Sequence, residues 1–220
     1  MKVVKKDWKV AVKKIGYIEG AGDFVDGILN LAGLEVDRVP ENSLSSAAYL
    51  AQYDAIVLGV RTLNTQKKIN AWMPVLMKYV ENGGTLLVQY NTGQNLLTNQ
   101  YGPYPFTISR DRVTEEDAAV TFTDPGASLL HFPNEITAKD FDHWVQERGI
   151  YYPAGYEGHY KTLFSMHDTG EKPLESAVIY TPYGKGQFIY TSLVFFRELP
   201  AGNTGAIRLM MNLLSAAKNK

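Results

Sequence analysis

A chain of 220 residues that is 45% hydrophobic has material for one large core and rather little for two. Its formal net charge of -1, with lysine and arginine dispersed beyond the first residues, leaves no electrostatic footprint for nucleic acid. The absence of cysteine excludes disulfides, thiolate metal ligands and thiol nucleophiles together, and no apolar run approaches the roughly 18 residues that a membrane-spanning helix needs.

Residues 1–9 are lysine-rich and poorly apolar, and read as an arm or a linker without the apolar centre of a signal peptide. The chain as given is expected to be soluble. Its compartment stays open, with a periplasmic or extracellular setting if it is part of a longer exported protein. In residues 10–18, Val10, Val12, Ile15, Tyr17 and Ile18 cluster as a first strand ending at Glu19. The turn Gly20-Ala21-Gly22-Asp23 follows, then Phe24, Val25, Ile28, Leu29 and Ala32 at helical spacing, with Asp23 placed to cap and Gly33 to stop the helix. Strand, glycine turn and helix share the outline of a dinucleotide-binding fingerprint. However, Val25 stands where its third glycine belongs, and the pair Asp37-Arg38 replaces the lone acid expected on a ribose. A tight βα turn needing glycine for its backbone angles accounts for the pattern, and no cofactor is expected.

Residues 34–39 form a second short strand, and Ser43 begins a helix through Leu44, Ala47, Ala48 and Ala51. The nearly continuous apolar run 53–60 suits a strand covered on both faces, and its end delivers Arg61, Thr62 and Asn64. The next helix carries Ile69, Trp72, Met73, Leu76 and Val80 on one face, and Pro74 predicts a kink or a late start. The pair Gly83-Gly84 ends it. A buried strand and the polar turn Tyr90-Asn91-Thr92-Gly93 come next, where an α/β enzyme with a nucleophile elbow would place its reactive side chain. Residues 10–90 thus alternate β and α in the manner of a flavodoxin-like, doubly wound, mostly parallel sheet.

Residues 94–160 are rich in proline and aromatic residues and lack a long helical period, so they read as a loop-rich insertion within a single domain spanning 10–220. Short strands are expected at 106–108 and 119–122. Regular structure returns at 162–166 and 177–180, and Tyr183-Gly184-Lys185-Gly186 turns a hairpin into residues 187–192, the last core strand. Thr204 or Asn203 caps a final helix that carries Ile207, Met210, Met211 and Leu214 inward.

Three stretches, Tyr53-Asp-Ala-Ile-Val-Leu-Gly59, Tyr79-Val-Glu-Asn-Gly-Gly-Thr-Leu-Leu-Val88 and Tyr183-Gly-Lys-Gly-Gln-Phe-Ile-Tyr-Thr-Ser-Leu193, resemble the class I glutamine amidotransferase-like fold, particularly its ThuA-like branch. Taken with Phe141-Asp-His-Trp-Val145, Glu147-Arg-Gly-Ile-Tyr-Tyr152 and Arg197-Glu-Leu-Pro-Ala-Gly202, the chain is similar to the C-terminal region of bacterial PIG-L/LmbE-family deacetylase proteins. That resemblance implies a deacetylase domain as a partner, in the same or a neighbouring chain. Amidotransferases use a cysteine at the elbow and a histidine beyond the last core strand. This chain has Tyr90, Asn91 and Thr92 at the first place and Ser192-Leu-Val-Phe-Phe-Arg197 at the second, which removes glutaminase chemistry. The deacetylase metal motif is absent as well.

Open parallel sheets bind ligands beyond the carboxyl ends of their strands. Glu19, Arg61, Asn64, Tyr90, Asn91 and Ser192 are therefore expected around one crevice. The segment 141–160 would cover it with Asp142, His143, Trp144, Glu147, Arg148, Tyr151, Tyr152, Glu157 and His159. Rings beside charged groups suit a carbohydrate ligand, although the same rings serve as packing for an insertion and Glu19 with Arg61 serves equally as an ion pair. The strained turn backbone is expected at Asn91. The histidines have no zinc-ligand spacing, and no metal is expected. A non-catalytic module binding carbohydrate or a partner domain is the leading expectation. A hydrolase or isomerase using paired carboxylates, or a structural or oligomerising domain, are the alternatives.

Overall fold

Two four-residue runs, Ala55-Ile56-Val57-Leu58 and Thr85-Leu86-Leu87-Val88, are buried at every position and form the centre of the sheet, because packed layers cover both its faces. The structure is a computed structural model that describes residues 4–218. The first three residues of the expected arm lie outside the described residues. The first half alternates β1 (Lys14–Ile18), α1 (Val25–Leu31), β2 (Glu35–Arg38), α2 (Ala47–Leu50), β3 (Ala55–Leu58), α3 (Thr62–Thr65), α4 (Ile69–Glu81) and β4 (Thr85–Val88). The middle holds seven two-residue strands: β5 (Thr107–Ile108), β6 (Arg112–Val113), β7 (Thr121–Phe122), β8 (Gly149–Ile150), β9 (Pro153–Ala154), β10 (Lys161–Thr162) and β11 (Phe164–Ser165). The hairpin β12 (Val178–Tyr183) and β13 (Gly186–Thr191) follows, then α5 (Phe195–Glu198) and α6 (Thr204–Leu214).

The central sheet has seven strands in the order β10-β12-β13-β4-β3-β1-β2. β2, β1, β3, β4 and β13 run parallel, and β12 and β10 extend the sheet antiparallel. The parallel part is the flavodoxin-like order, with strand order reversing between β1 and β3. Side-chain alternation sorts the core into two layers. Ile15, Tyr17, Val57, Leu87 and Ile189 pack towards α1 and α6. Ile18, Ile56, Leu58, Leu86, Val88 and Phe188 pack towards α2 and α4.

Local chemistry explains where elements differ from expectation. The helix expected from Ser43 is instead a 3-10 turn, Glu41–Ser45, followed by α2, because Ser46 takes extended angles and its side chain accepts from the Tyr49 N–H as an N-cap. α4 runs unbroken through Pro74, which therefore does not delay its start. The lost hydrogen bond is borne by a helix that buries Ile69, Trp72, Met73, Leu76, Met77 and Val80. Asn203 caps α6 by accepting from the Ala206 N–H at 3.1 Å.

Residues 94–160 contribute to both layers. Leu129, Leu130, Phe141, Trp144 and Tyr152 join the first, and Phe106 and Tyr160 join the second. Three antiparallel pairs, β5 with β9, β6 with β8 and β7 with β11, hold this part of the chain in place. Ahead of β1, the Trp8 indole donates to the Ala32 carbonyl at 3.0 Å and the Lys9 N–H to Asn134 Oδ1 at 2.7 Å. No helix among the described residues is long and apolar enough to cross a membrane.

Candidate functional site

The switch point between β1 and β3 is closed by a side chain of this protein. Asp23 Oδ1 accepts from the Tyr17 hydroxyl at 2.5 Å and the Val25 N–H at 2.9 Å, while Oδ2 accepts from the Val60 N–H at 3.1 Å. Burial and the adjacent Asp23 charge push the Tyr17 phenol well above its ordinary range. Asp23 thus acts one residue ahead of the helix cap and also ties β1 to β3. Glu19, at the mouth of this point, is exposed and faces Arg38 at 3.6 Å, so the alternative in which it pairs with Arg61 does not hold.

The elbow after β4 is built as framework. Asn91 is fully buried, its Oδ1 accepts from the Leu63 N–H at 2.8 Å, its Nδ2 donates to the Gln89 carbonyl at 2.8 Å, and its own N–H donates to the Tyr190 hydroxyl at 2.9 Å. It is therefore not an exposed crevice group, and its backbone is not left-handed. The left-handed residue is Arg61, with φ 59°, at the sharp turn between β3 and α3. Asn64 clasps the turn, donating to the Thr92 and Gln94 carbonyls at 3.0 and 2.9 Å and accepting from the Thr92 N–H at 3.0 Å.

Above this framework lies a cavity of about 790 Å³ between the β3 and β4 ends and the insertion. Thr92 to Asn95 line one side, and Ile108, Arg110, Arg112, Glu147 and Tyr151 line the other, with Arg61 and Arg197 completing the wall. The Tyr151 ring stacks on Tyr90, whose ring in turn packs against Phe196 with centroids 5.2 Å apart. Burial raises the Tyr90 phenol pKa, with the Arg61 charge opposing. Arg197 Nε donates to Glu147 Oε1 at 2.9 Å, and its guanidinium lies 4.8 Å from the centre of the Phe196 ring. Three of the non-glycine residues with positive φ, Arg61, Asn95 and Tyr151, line this cavity. Strained backbone of this kind gathers where surrounding structure over-determines it.

Other expected site residues lie elsewhere. Trp144 is buried in the first core layer, with its indole donating to the Asp140 carbonyl at 2.9 Å and its ring stacked on Phe141. Tyr152 is buried, and its hydroxyl has no partner among the described residues. Ser192 is buried under the insertion, its hydroxyl donating to the Tyr151 carbonyl at 3.1 Å. Asp142, His143 and Glu157 are exposed, and His159 stacks on Tyr104 at 4.6 Å away from the cavity. The structure thus brings together Arg61, Asn64, Tyr90 and Glu147 and separates them from Glu19, Asp142, His143, Trp144, Tyr152 and His159.

Arg110, Arg112 and Arg197 were absent from the sequence expectation. Arg110 and Arg112 flank Asp111 where β5 gives way to β6, and the pairings of β5 with β9 and of β6 with β8 bring them over the elbow. Glu198, next to Arg197, is fully buried. Its Oε1 accepts from the Val145 N–H at 2.9 Å, its Oε2 has no partner among the described residues, and burial pushes its pKa up to about 7.

The chemistry of the cavity wall is limited. Glu147 is the one carboxylate on the wall among the described residues, and no histidine lines it. A two-carboxylate mechanism has no second member there. No three His, Asp or Glu side chains among the described residues are grouped so as to hold a metal ion.

The sequence matches no protein-family model and no curated protein. Solved structures share its fold. A cytoplasmic protein from Salmonella typhimurium LT2 is 16% identical with a TM-score of 0.59, the match covering 91% of this chain and 98% of that one. A GMP synthase-like protein from Thermoplasma acidophilum is 13% identical with a TM-score of 0.56, over 94% of each chain. A ThuA-like protein from Bacteroides uniformis ATCC 8492 is 14% identical with a TM-score of 0.54, over 95% of this chain and 92% of that one. The chain therefore has a flavodoxin-like α/β fold of the class I glutamine amidotransferase-like type, which the ThuA-like protein also has.

Proposed function

We propose that this chain is a catalytically silent, ThuA-like module that binds a carbohydrate in the cavity over the β3 and β4 ends. The observation that carries the reading is the cavity itself. It sits where this fold presents ligands, it is roofed by the insertion, and its wall carries the Tyr151 ring beside guanidinium groups. A ring supports the apolar C–H face of a sugar, and fixed polar groups take its hydroxyls. The elbow side chain of Asn91, at a place a transferase would use for attack, is spent here on the frame, and Asn64 of α3 clasps the turn from outside. Isothermal titration with a panel of neutral and acidic mono- to tetrasaccharides tests the reading. At least one is expected to give a saturable isotherm that Tyr151→Ala abolishes, and no heat from any of them would end it.

A second reading, packing against a partner such as a PIG-L/LmbE-type deacetylase domain, is favoured by the α1 surface. Phe24 is 75% and Leu31 84% exposed there, beside a groove lined by Trp8, Ile28 and Leu199. Pull-down of such a domain by the wild type, lost in a Phe24→Ser, Leu31→Ser variant, is the expected result. Equal capture by both would remove the surface from consideration.

A further inference from the structure

We infer that the ligand of this cavity is an acidic saccharide, bearing carboxylate or sulfate groups, rather than a neutral one. This rests on the carbohydrate reading above and narrows it. Four guanidinium groups, those of Arg61, Arg110, Arg112 and Arg197, line the cavity against the single carboxylate of Glu147, although the whole chain has a net charge of -1. Glu147 is committed to Arg197 at 2.9 Å. The side chains of Arg61, Arg110 and Arg112 have no hydrogen bond or ion pair among the described residues.

The rest of the molecule treats arginine differently. Arg38 pairs with Asp26 at 2.7 Å and Arg208 with Asp140 at 2.8 Å, and buried Arg148 donates to the carbonyls of Ala118 and Phe141. Each arginine outside the cavity is thus matched by an acceptor, and the three unmatched ones converge on one concave site. Asp168 is near enough to Arg112 to feel its charge. Its oxygens are nevertheless already taken by the Thr114 N–H and hydroxyl and the Glu115 N–H. Arg61 is also fixed at its root, with left-handed backbone angles and its N–H donated to the Tyr90 carbonyl at 2.9 Å. Planar guanidinium forks fit carboxylate and sulfate oxygens in pairs, and a concave wall of one sign concentrates the field on an entering anion. A neutral sugar would leave these three charges unanswered.

The test is isothermal titration of the full chain with trigalacturonate, a sulfated chondroitin disaccharide and neutral galactotriose. At least one acidic probe is expected to bind more tightly than galactotriose, with affinity that falls as salt rises. The tighter of the two acidic arms identifies the acid group. An Arg110→Gln, Arg112→Gln variant, expected to fold normally because both residues are exposed, should weaken that probe on the order of tenfold or more. Glu147→Gln should strengthen it by removing the one opposing charge. Equal binding of galactotriose and the acidic probes, or acidic binding indifferent to the double arginine variant, overturns the inference and leaves the carbohydrate reading standing. Absence of heat from all three probes overturns the inference, and absence of heat from the whole saccharide panel overturns the carbohydrate reading with it.

Discussion

The ring of Tyr151 lies parallel to that of Tyr90, with centroids 5.8 Å apart and planes 11° apart, so a ring stack fastens the insertion to the elbow. Tyr151 reaches this position with φ 59°, a left-handed conformation that a side chain with a Cβ resists. Ring and backbone contributions separate in two variants. Tyr151→Ala loses the ring and keeps the strain, whereas Tyr151→Gly loses the ring and relaxes the strain. Both are expected to lose saccharide binding, and in urea melts the glycine variant should be the more stable of the two by about 1 kcal/mol. Equal stability would mean that the left-handed backbone costs nothing here.

Asn91 offers the opposite case, a residue at the elbow whose side chain faces inward. Asn91→Ala leaves the buried Leu63 N–H and Gln89 carbonyl without their partners, which should cost about 2–4 kcal/mol. On sequence grounds alone, replacing Tyr90 and Asn91 would be expected to spare stability and impair binding. The structure reverses this for Asn91, because three hydrogen bonds at a fully buried position make it a strut between β4, α3 and β13. Denaturation of the single variant at wild-type urea concentrations would contradict that role.

The parallel sheet was legible because apolar runs such as 55–58 and 85–88, bounded by glycine, permit little besides buried strands between helices. Arg61 and Glu147 line the cavity, a placement the sequence suggests because one follows a core strand and the other lies in the insertion beside aromatic residues. Trp144 and Tyr152 take the packing alternative, which composition alone cannot separate from a crevice position because it does not say whether an aromatic side chain in an irregular segment turns inward. Here the cap at Thr137 and the turn that follows drive Trp144 into the core. Arg110 and Arg112 depend on a pairing with residues nearly forty positions later, between strands too short to leave a periodic signal.

Asp23 distinguishes the closed switch point from the cavity. Asp23→Ala would strand the Tyr17 hydroxyl and the Val60 N–H, lowering stability by about 2–4 kcal/mol. Since Asp23 does not line the cavity, affinity for the saccharide should be unchanged below the melting range. A selective loss of affinity with stability intact would instead place the ligand at the switch point.

Glu198 should give the fold a pH dependence with a defined sign. Its ordinary pKa is 4.5, and burial raises it to about 7 in the folded protein, against the weaker pull of the Val145 N–H and the Arg148 charge. As pH rises from 4.5 to 7, the unfolded chain gives up this proton first and the folded chain keeps it. The unfolded state then binds fewer protons, so stability falls through that interval and levels off above it. His131, whose pKa is raised by the Pro125 carbonyl and Glu135, acts in the same direction, but it does so equally in any Glu198 variant. Glu198→Gln retains an acceptor for the Val145 N–H and has no proton to lose. Thermal unfolding of both proteins at a mildly acidic and a mildly alkaline pH should show the wild type losing several degrees more than the variant. Identical losses would exclude Glu198 as the titrating group.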